Sequence, residues 1–169
     1  MTITVRATRG EVSAANSLSG KSRRILAIDY GRKRVGLALS DELGLTAQPH
    51  ATLVRTNRRN DLRRLREICL QHSVGHIVVG HPLHMNGKAG EMADEAVRFA
   101  VRLHKELGIE VELVDERLTS WEAEQTLTET NSSPRRKRSS IDDVAAAVLL
   151  RDYLERRRAN PRNSSAERE

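Results

Sequence analysis

Short apolar runs alternating with amphipathic stretches most constrain the fold of this chain. The runs ILAID and VGLALSD, which begin at Ile25 and Val35, are separated only by Tyr-Gly-Arg-Lys-Arg, which predicts a hairpin of buried strands. Further strands are predicted at 50–56, 76–80 and 110–115, and helices at 60–72, 91–107, from 119 onward and 141–155. Strands joined by short turns pair antiparallel and strands joined through helices pair parallel. The pattern predicts an α/β fold: a mixed sheet, three antiparallel strands then two parallel ones, with helices on its faces.

The ends of the chain differ from its middle. The 169 residues suffice for one domain. Residues 1–22 are small, polar and basic without helical or strand period, and residues 156–169 have the same character. We therefore predict a disordered basic arm, a folded domain over 23–155 and a disordered basic tail.

Three local signals refine the helices. In the helix over 60–72, the apolar stripe places Cys69 in the core, and Gly108 is expected to end the helix that precedes it. Residues 131–139 are rich in Arg and Ser and are predicted to form a basic loop. Ser140 would then be the N-cap of the last helix, and Asp143 would complete its capping box.

Positive charge is clustered rather than general. The chain carries 29 Lys and Arg against 23 Asp and Glu, a net charge of +6, and the two arms account for most of this excess. The remaining basic clusters lie at 32–34, 55–66 and 135–138. Arg forms planar, bidentate contacts with phosphate, so these clusters are compatible with nucleic acid, although most single Arg residues of a chain are solvated.

The composition excludes several classes of protein. No run approaches the ~20 apolar residues of a membrane span, and the N-terminus lacks the apolar segment of a secretory signal, so a cytoplasmic protein without membrane contact is expected. Cys69 is the single cysteine, which excludes a disulfide framework and a cysteine zinc site. A bound metal must be held by oxygen or histidine.

Acidic residues at the ends of predicted elements are the candidates for such a site. Asp29 ends the first strand, Asp115 and Glu116 follow a later strand, and Asp142 and Asp143 open the last helix. Carboxylates that converge from distant positions can hold Mg²⁺ or Mn²⁺. A pair of such ions ~4 Å apart activates a water and stabilises the leaving oxygen in phosphodiester cleavage.

Each acid taken singly has an ordinary explanation. An Asp at the end of a strand often caps a turn, and an Asp in the first turn of a helix answers the helix dipole. If Asp143 serves the capping box, Asp142 is the better candidate ligand. The composition alone therefore leaves both interpretations open.

Four segments resemble the YqgF family, also named RuvX. They are ILAIDYGRKRVGLALS (25–40), IVVGHPLHMNG (77–87), VDERLT (114–119) and IDDVAAAVLLRDYL (141–154). Members of this family are bacterial pre-16S rRNA nucleases related to Holliday junction resolvases, with a ribonuclease H-like fold. The match extends over about residues 24–155.

The resemblance implies a catalytic set that is also the metal site. The family's three acids fall on Asp29, on Glu116 with Asp115 as a substitute, and on Asp142, and they imply Mg²⁺ or Mn²⁺ as cofactor. The implied activity is a metal-dependent endonuclease that processes the 5′ end of pre-16S rRNA in ribosome biogenesis. His81 stands where the family's loop commonly has Leu, and His84 adds a second imidazole, so either is a conceivable proton shuttle or ligand.

Basic residues beside the candidate acids are the predicted contacts with nucleic acid. Arg32, Lys33 and Arg34 follow Asp29 in the hairpin turn, and Arg117 follows Glu116. These side chains are suited to neutralising phosphates, although each is also explained by a solvated charge or an ion pair with the neighbouring acid, equally well for Arg34 and Arg117. The chain has only four aromatic residues, which favours recognition of backbone shape over base stacking.

Three alternatives stay open at this point. The same site would serve a Holliday junction resolvase acting on four-way DNA junctions, which requires a homodimer for two symmetric cuts. A noncatalytic nucleic-acid-binding module is the second. The third, an actin-like or sugar-kinase ATPase, is opposed by the length, since those enzymes close two such lobes around ATP.

Overall fold

The computed structural model describes residues 3–5, 23–82, 90–115 and 134–159. The strands and helices of these residues, in chain order, are β1 (Ile3–Val5), β2 (Arg24–Tyr30), β3 (Arg34–Ser40), β4 (Ala47–Val54), α1 (Arg58–Gln71), β5 (Val74–His81), α2 (Glu91–Leu107), β6 (Glu110–Asp115) and α3 (Pro134–Ala159). The strands form one six-stranded sheet in the order β1-β6-β5-β2-β3-β4.

Strand directions follow the lengths of the connections. β2, β3 and β4 are joined by short turns and pair antiparallel, whereas β5 pairs parallel with both β2 and β6. A helix separates β4 from β5 and β5 from β6, and such a crossover is what brings strands into parallel alignment. This confirms the predicted mixed sheet, and the arrangement agrees with the ribonuclease H-like fold that the resemblance implies.

Two apolar layers cover the two faces of the sheet. Leu26, Ile28 and Tyr30 of β2 belong to the core beneath α1 and α2, while Ile25 and Ala27 belong to the core beneath α3. Because successive side chains of a strand point to opposite faces, each strand contributes to both layers. The predicted placement of helices on both faces is confirmed.

Several local predictions are confirmed residue by residue. The helix over 91–107 and the strand over 110–115 have the predicted bounds, and Gly108 ends α2 with a φ of 67°. That left-handed conformation is one that glycine adopts without steric cost. Cys69 is 4% exposed in the core, and burial raises the pKa of its thiol to about 11.

The N-terminal boundary of the last helix was predicted wrongly. α3 begins at Pro134, so residues 134–139 are helical rather than a loop, and Ser140 is not the N-cap. Pro fits the first turn of a helix, and Arg, Lys and Ser do not break the turns that follow. The helix also continues through Ala159, within the first residues of the predicted tail.

The sequence did not indicate β1. This three-residue strand pairs antiparallel with β6 through its backbone, with Thr4 opposite Glu112. A strand of three residues is too short to show the two-residue alternation of apolar and polar side chains by which strands are recognised. The rest of the predicted arm and tail, and the helix predicted from Thr119, lie outside the described residues and stay predictions.

A buried polar cluster fixes α3 to the sheet at the end far from Asp29. The Tyr153 hydroxyl donates to Oε2 of Glu112 at 2.8 Å, and Nε2 of His76 lies 3.2 Å from the same oxygen. Burial by itself would raise the pKa of Glu112, but its contacts with His76 and Tyr153 outweigh burial and hold that pKa below its usual range. The ionised form of Glu112 is therefore favoured in the folded chain.

Stability should accordingly depend on pH through Glu112. A carboxyl whose pKa is lowered by folding contributes stability above its unfolded pKa, and this contribution is lost as the pH falls through the folded value. At pH 7, Glu112→Gln should lower the free energy of unfolding by about 1 kcal/mol, and the deficit should shrink below about pH 4.5. Urea denaturation across pH measures this; the exposed Glu42→Gln is the control, and a deficit that stays constant with pH contradicts the prediction.

Candidate active site

Asp29 lies on the α3 face of the sheet. It follows Ile25 and Ala27 in the alternation of β2, and both of these residues pack in the core beneath α3. Asp29 is half-buried and stands one residue before the end of the strand. A rigid central strand therefore carries this carboxylate.

Gly36 brings α3 against the sheet beside Asp29. Gly36 is directly opposite Asp29 in the β2 and β3 pairing. A Cβ built on Gly36 would lie 1.8 Å from the carbonyl oxygen of Asp142, so the helix backbone occupies the space of a side chain. Opposite residues of an antiparallel pair project to the same face. Asp29 and Asp142, 113 positions apart in the sequence, are thus both neighbours of Gly36 on the α3 face of the sheet.

The Asp142 side chain is half-buried, and one of its carboxylate oxygens, Oδ2, is fully buried. Its Oδ2 lies 3.1 Å from Nε of Arg34, but no hydrogen bond reaches this buried oxygen from any residue that the structure describes. Burial raises the pKa of Asp142, against the opposing effect of Arg34, and the neighbouring Asp143 adds to the rise. A hard divalent cation would satisfy such an oxygen and stabilise the ionised carboxylate.

Asp143 has a different environment from Asp142. Its Oδ1 accepts a hydrogen bond of 3.0 Å from the N–H of Val144. The preference for Asp142 over Asp143 as a candidate ligand thus has geometric support, although the capping box that first suggested it is absent.

The face of the sheet to which Asp115 belongs follows from the alternation of β6, whose last residue it is. Val114 packs beneath α3, whereas Leu113, and with it Asp115, belongs to the face of α2. Asp115 is therefore on the wrong face to join Asp29. Glu116 and Arg117 lie outside the described residues. Within the described ranges, no group of three His, Cys, Asp or Glu side chains could hold a metal ion. Glu116, the predicted third ligand, is not one of the described residues.

His81 lies on the face of α2 as well. It is 8% exposed and directly opposite Asp115 in the register of β5 and β6. Burial lowers the pKa of His81, and this effect outweighs the nearby carboxylates of Asp115 and Asp94. The imidazole is on the opposite face of the sheet from Asp29, which disfavours its use as a ligand there. His84 is outside the described residues.

The predicted basic residues of the hairpin turn have different surroundings. Arg32 reaches across to α2, where Nη2 contacts Oε1 of Glu95 at 2.8 Å and Oε2 of Glu91 at 3.1 Å. This favours an ion-pair role for Arg32. Lys33 is exposed in the turn. Arg34, beside Asp142, is the basic side chain that the structure brings to the candidate site.

Sequence reasoning missed Arg55 as an organiser of the turn. Its Nη1 donates to the Tyr30 hydroxyl at 2.9 Å and to the carbonyl oxygen of Gly31 at 3.1 Å, and its Nε contacts Asp61 at 3.3 Å. The guanidinium also lies over the Tyr30 ring, 4.9 Å from its centroid. These contacts fix the two residues that follow Asp29. Arg55 was one of six arginines in a cluster, and nothing in the sequence distinguished it.

No helix in the described ranges has both the length and the apolar character needed to cross a bilayer.

Comparison with known proteins identifies the family. A family model described as "RuvX: Holliday junction resolvase" matches residues 23–156. A "Putative pre-16S rRNA nuclease" of Syntrophus aciditrophicus is 45% identical over 132 residues, covering 78% of this chain and 88% of that protein. The protein of the same name from Geobacillus kaustophilus is 44% identical, covering 80% and 99%.

Among solved structures, RuvC of T. thermophilus in complex with a Holliday junction substrate matches with a TM-score of 0.49 and 14% identity, over 80% of this chain and 95% of that one. The family model and the curated relatives confirm the resemblance drawn from the four motifs. The chain belongs to the RuvX family of phosphodiester-cleaving hydrolases.

Proposed function

We propose that the chain is a metal-dependent endonuclease that processes the 5′ end of pre-16S rRNA, with Asp29, Glu116 and Asp142 as catalytic metal ligands. The observation that carries the proposal is that Asp29 and Asp142 are both neighbours of Gly36, and that a buried oxygen of Asp142, ion-paired with Arg34, receives no hydrogen bond from any described residue. A carboxylate with a purely structural role would be expected to accept well-aligned hydrogen bonds in addition to an ion pair. This donor set is all oxygen, which suits Mg²⁺ or Mn²⁺.

Glu116 is proposed as the third ligand on two grounds. It occupies the position of the family's second acid in the segment VDERLT. In addition, Asp115 belongs by the alternation of β6 to the face away from Asp29, which argues against the substitute that the sequence left open. The parity of β6 thus favours Glu116 over Asp115.

The residues of the proposed site have two roles in cleavage, metal binding by the acids and phosphate binding by Arg34. A divalent ion held by the three acids would supply activation of a water and neutralisation of the leaving oxygen. Asp29, on a central strand, and Asp142, on α3, hold their carboxylates in fixed positions, which lowers the cost of ordering the site. Arg34 places a positive charge beside Asp142, where it can contact the scissile phosphate or its neighbour.

The substrate assignment follows the names of the curated relatives. Those relatives are named pre-16S rRNA nucleases, whereas the family model is described as a Holliday junction resolvase. We propose the ribosomal precursor as substrate in the cytoplasm, and the four-way junction as the competing candidate. Symmetric resolution of a junction would require a homodimer.

The test offers both substrates to the purified full-length protein. A pre-16S leader RNA and a four-way DNA junction of matched length are incubated side by side with Mg²⁺ or Mn²⁺, and products are mapped to single nucleotides. We expect metal-dependent cuts near the 5′ end of the mature RNA sequence and slower or absent cleavage of the junction. EDTA should abolish cleavage.

Two results would contradict the proposal. Cleavage of the junction alone would replace the ribosomal role by the resolvase role. Absence of cleavage of either substrate, together with metal-independent binding of both, would identify a noncatalytic binding module.

A further inference from the structure

Arginines cover the outward face of α1. Arg59, Arg63 and Arg66 are exposed and recur at intervals of four and three residues, so they form one row along the helix. The opposite side of the helix buries Leu65 and Cys69. We name this row of three residues the α1 arginine row.

The charge of this surface is largely uncompensated. α1 contains five Arg against Asp61 and Glu67, and Asp61 pairs with Arg55, which precedes the helix. Arg66 donates to the backbone carbonyl of Glu106, which carries no net charge. α2 lies on the same face of the sheet with four acids against Arg98, Arg102 and Lys105. Positive charge on this face is therefore concentrated on α1.

The arginine row starts at the same end of the sheet as the candidate active site. The Arg55 N–H donates to the carbonyl oxygen of Lys33 at 3.0 Å, and the Arg55 side chain to that of Gly31 at 3.1 Å. These bonds join the segment that enters α1 to the turn that follows Asp29. Exposed Lys33 stands in that turn. The start of α1 is thus tied to the end of the sheet that carries Asp29, while the helix itself packs on the other face.

The chemistry of the row fits a phosphodiester backbone. A guanidinium forms bidentate contacts with phosphate, and Arg59 to Arg66 extend over about 10 Å, the length in which one strand of a duplex presents about three phosphates. α1 contains no aromatic residue on which a base could stack. Contacts would therefore follow the backbone and carry little base preference.

We propose that the α1 arginine row binds the phosphate backbone of nucleic acid flanking the cleavage position. This inference rests on the proposed function for its orientation toward the active site. Binding by the row requires neither metal nor cleavage, so this inference and the proposed nuclease function can fail separately. RNA and DNA share the recognised group, and both are used as probes.

The test measures binding by the full-length chain in EDTA. Fluorescence anisotropy is recorded over a series of salt concentrations with a labelled stem-loop RNA that carries a single-stranded flank, and with DNA of the same sequence. The variant R59Q/R63Q/R66Q should bind at least about 10-fold more weakly at 0.1 M salt, and the slope of log K against log salt should fall by about 2 to 3. Its thermal unfolding should stay within a few degrees of the wild type, since the hydrogen bond that it loses, from Arg66 to Glu106, is exposed.

The matched control changes the same number of charges on α2. The variant R98Q/R102Q/K105Q removes three exposed positive charges on the same face of the sheet, so an effect of net charge alone would weaken both variants equally. We expect the control to stay within about 2-fold of the wild type. Equal loss in both variants, or wild-type binding by R59Q/R63Q/R66Q, would overturn the inference. Weaker binding of R59Q/R63Q/R66Q to RNA alone, or to both RNA and DNA, supports the inference and identifies which nucleic acid the row binds.

Discussion

Replacement of Asp29 by Asn is expected to remove Mn²⁺ binding and to lower the cleavage rate at least about 10³-fold, because a lost metal ligand costs several kcal/mol of transition-state stabilisation. The variant keeps the shape of the side chain, and Asp29 is only half-buried, so the fold should persist. Asp142→Asn should have the same effect on Mn²⁺ binding and cleavage. It should not lower stability, since burial already disfavours the ionised form of Asp142.

Asp143→Asn is the control for this prediction. Asp143 is adjacent to Asp142 in the sequence, but its Oδ1 bonds to the backbone of Val144. Isothermal titration calorimetry with Mn²⁺ should therefore show wild-type binding by Asp143→Asn and none by Asp29→Asn. Binding of Mn²⁺ by Asp29→Asn with unchanged affinity, or retained cleavage, would refute the proposed ligand set.

Gly36→Ala is expected to have the largest effect on stability. The added methyl group would lie 1.8 Å from the carbonyl oxygen and 2.3 Å from the carbonyl carbon of Asp142, and backbone atoms cannot yield as a flexible side chain does. α3 must then move off β3. We expect a loss of about 3 kcal/mol, which lowers Tm by roughly 6–12 °C for a chain of this size. Mn²⁺ affinity should fall too, because the same displacement moves Asp142 away from Asp29.

Gly108→Ala separates this contact from the general effect of replacing glycine. Gly108 has a φ of 67°, and a Cβ there would have no atom within 4 Å. The expected cost is backbone strain alone, about 1 kcal/mol, with Mn²⁺ binding unchanged. Thermal denaturation monitored by circular dichroism compares the two variants. A Gly36→Ala protein as stable as Gly108→Ala would show that α3 does not press on β3 at Asp142.

The segment DYGRKRVG shows how far sequence could go. Its Asp29 ends an apolar run, which was enough to predict a carboxylate at the end of a strand. The sequence could not show why position 36 requires glycine, because the atom that excludes a side chain there belongs to Asp142, far along the chain. Arg55 was hidden for the same reason, since its partners Tyr30 and Gly31 lie on another strand and its turn.

The start of α3 illustrates a different difficulty. Arginines and serines before Ile141 suggested a loop, yet the helix begins at Pro134. Composition predicts poorly where a polar stretch adjoins an amphipathic helix. Arg, Lys and Ser have acceptable helix propensity, and a helix that has already formed extends into them without a new nucleation step.

Periodicity by itself determined the described elements other than β1 and the start of α3, with the strand directions and the layers of helices, since burial of apolar side chains repeats every two or every 3.6 residues along the chain. It also indicated which acids stand at the ends of strands. The tertiary structure decided which acids share a face: Asp29 and Asp142 are both neighbours of Gly36, which leaves room for a helix backbone, and Asp115 is turned away by the parity of β6. Contacts between distant segments depend on packing in three dimensions, and no local pattern records them.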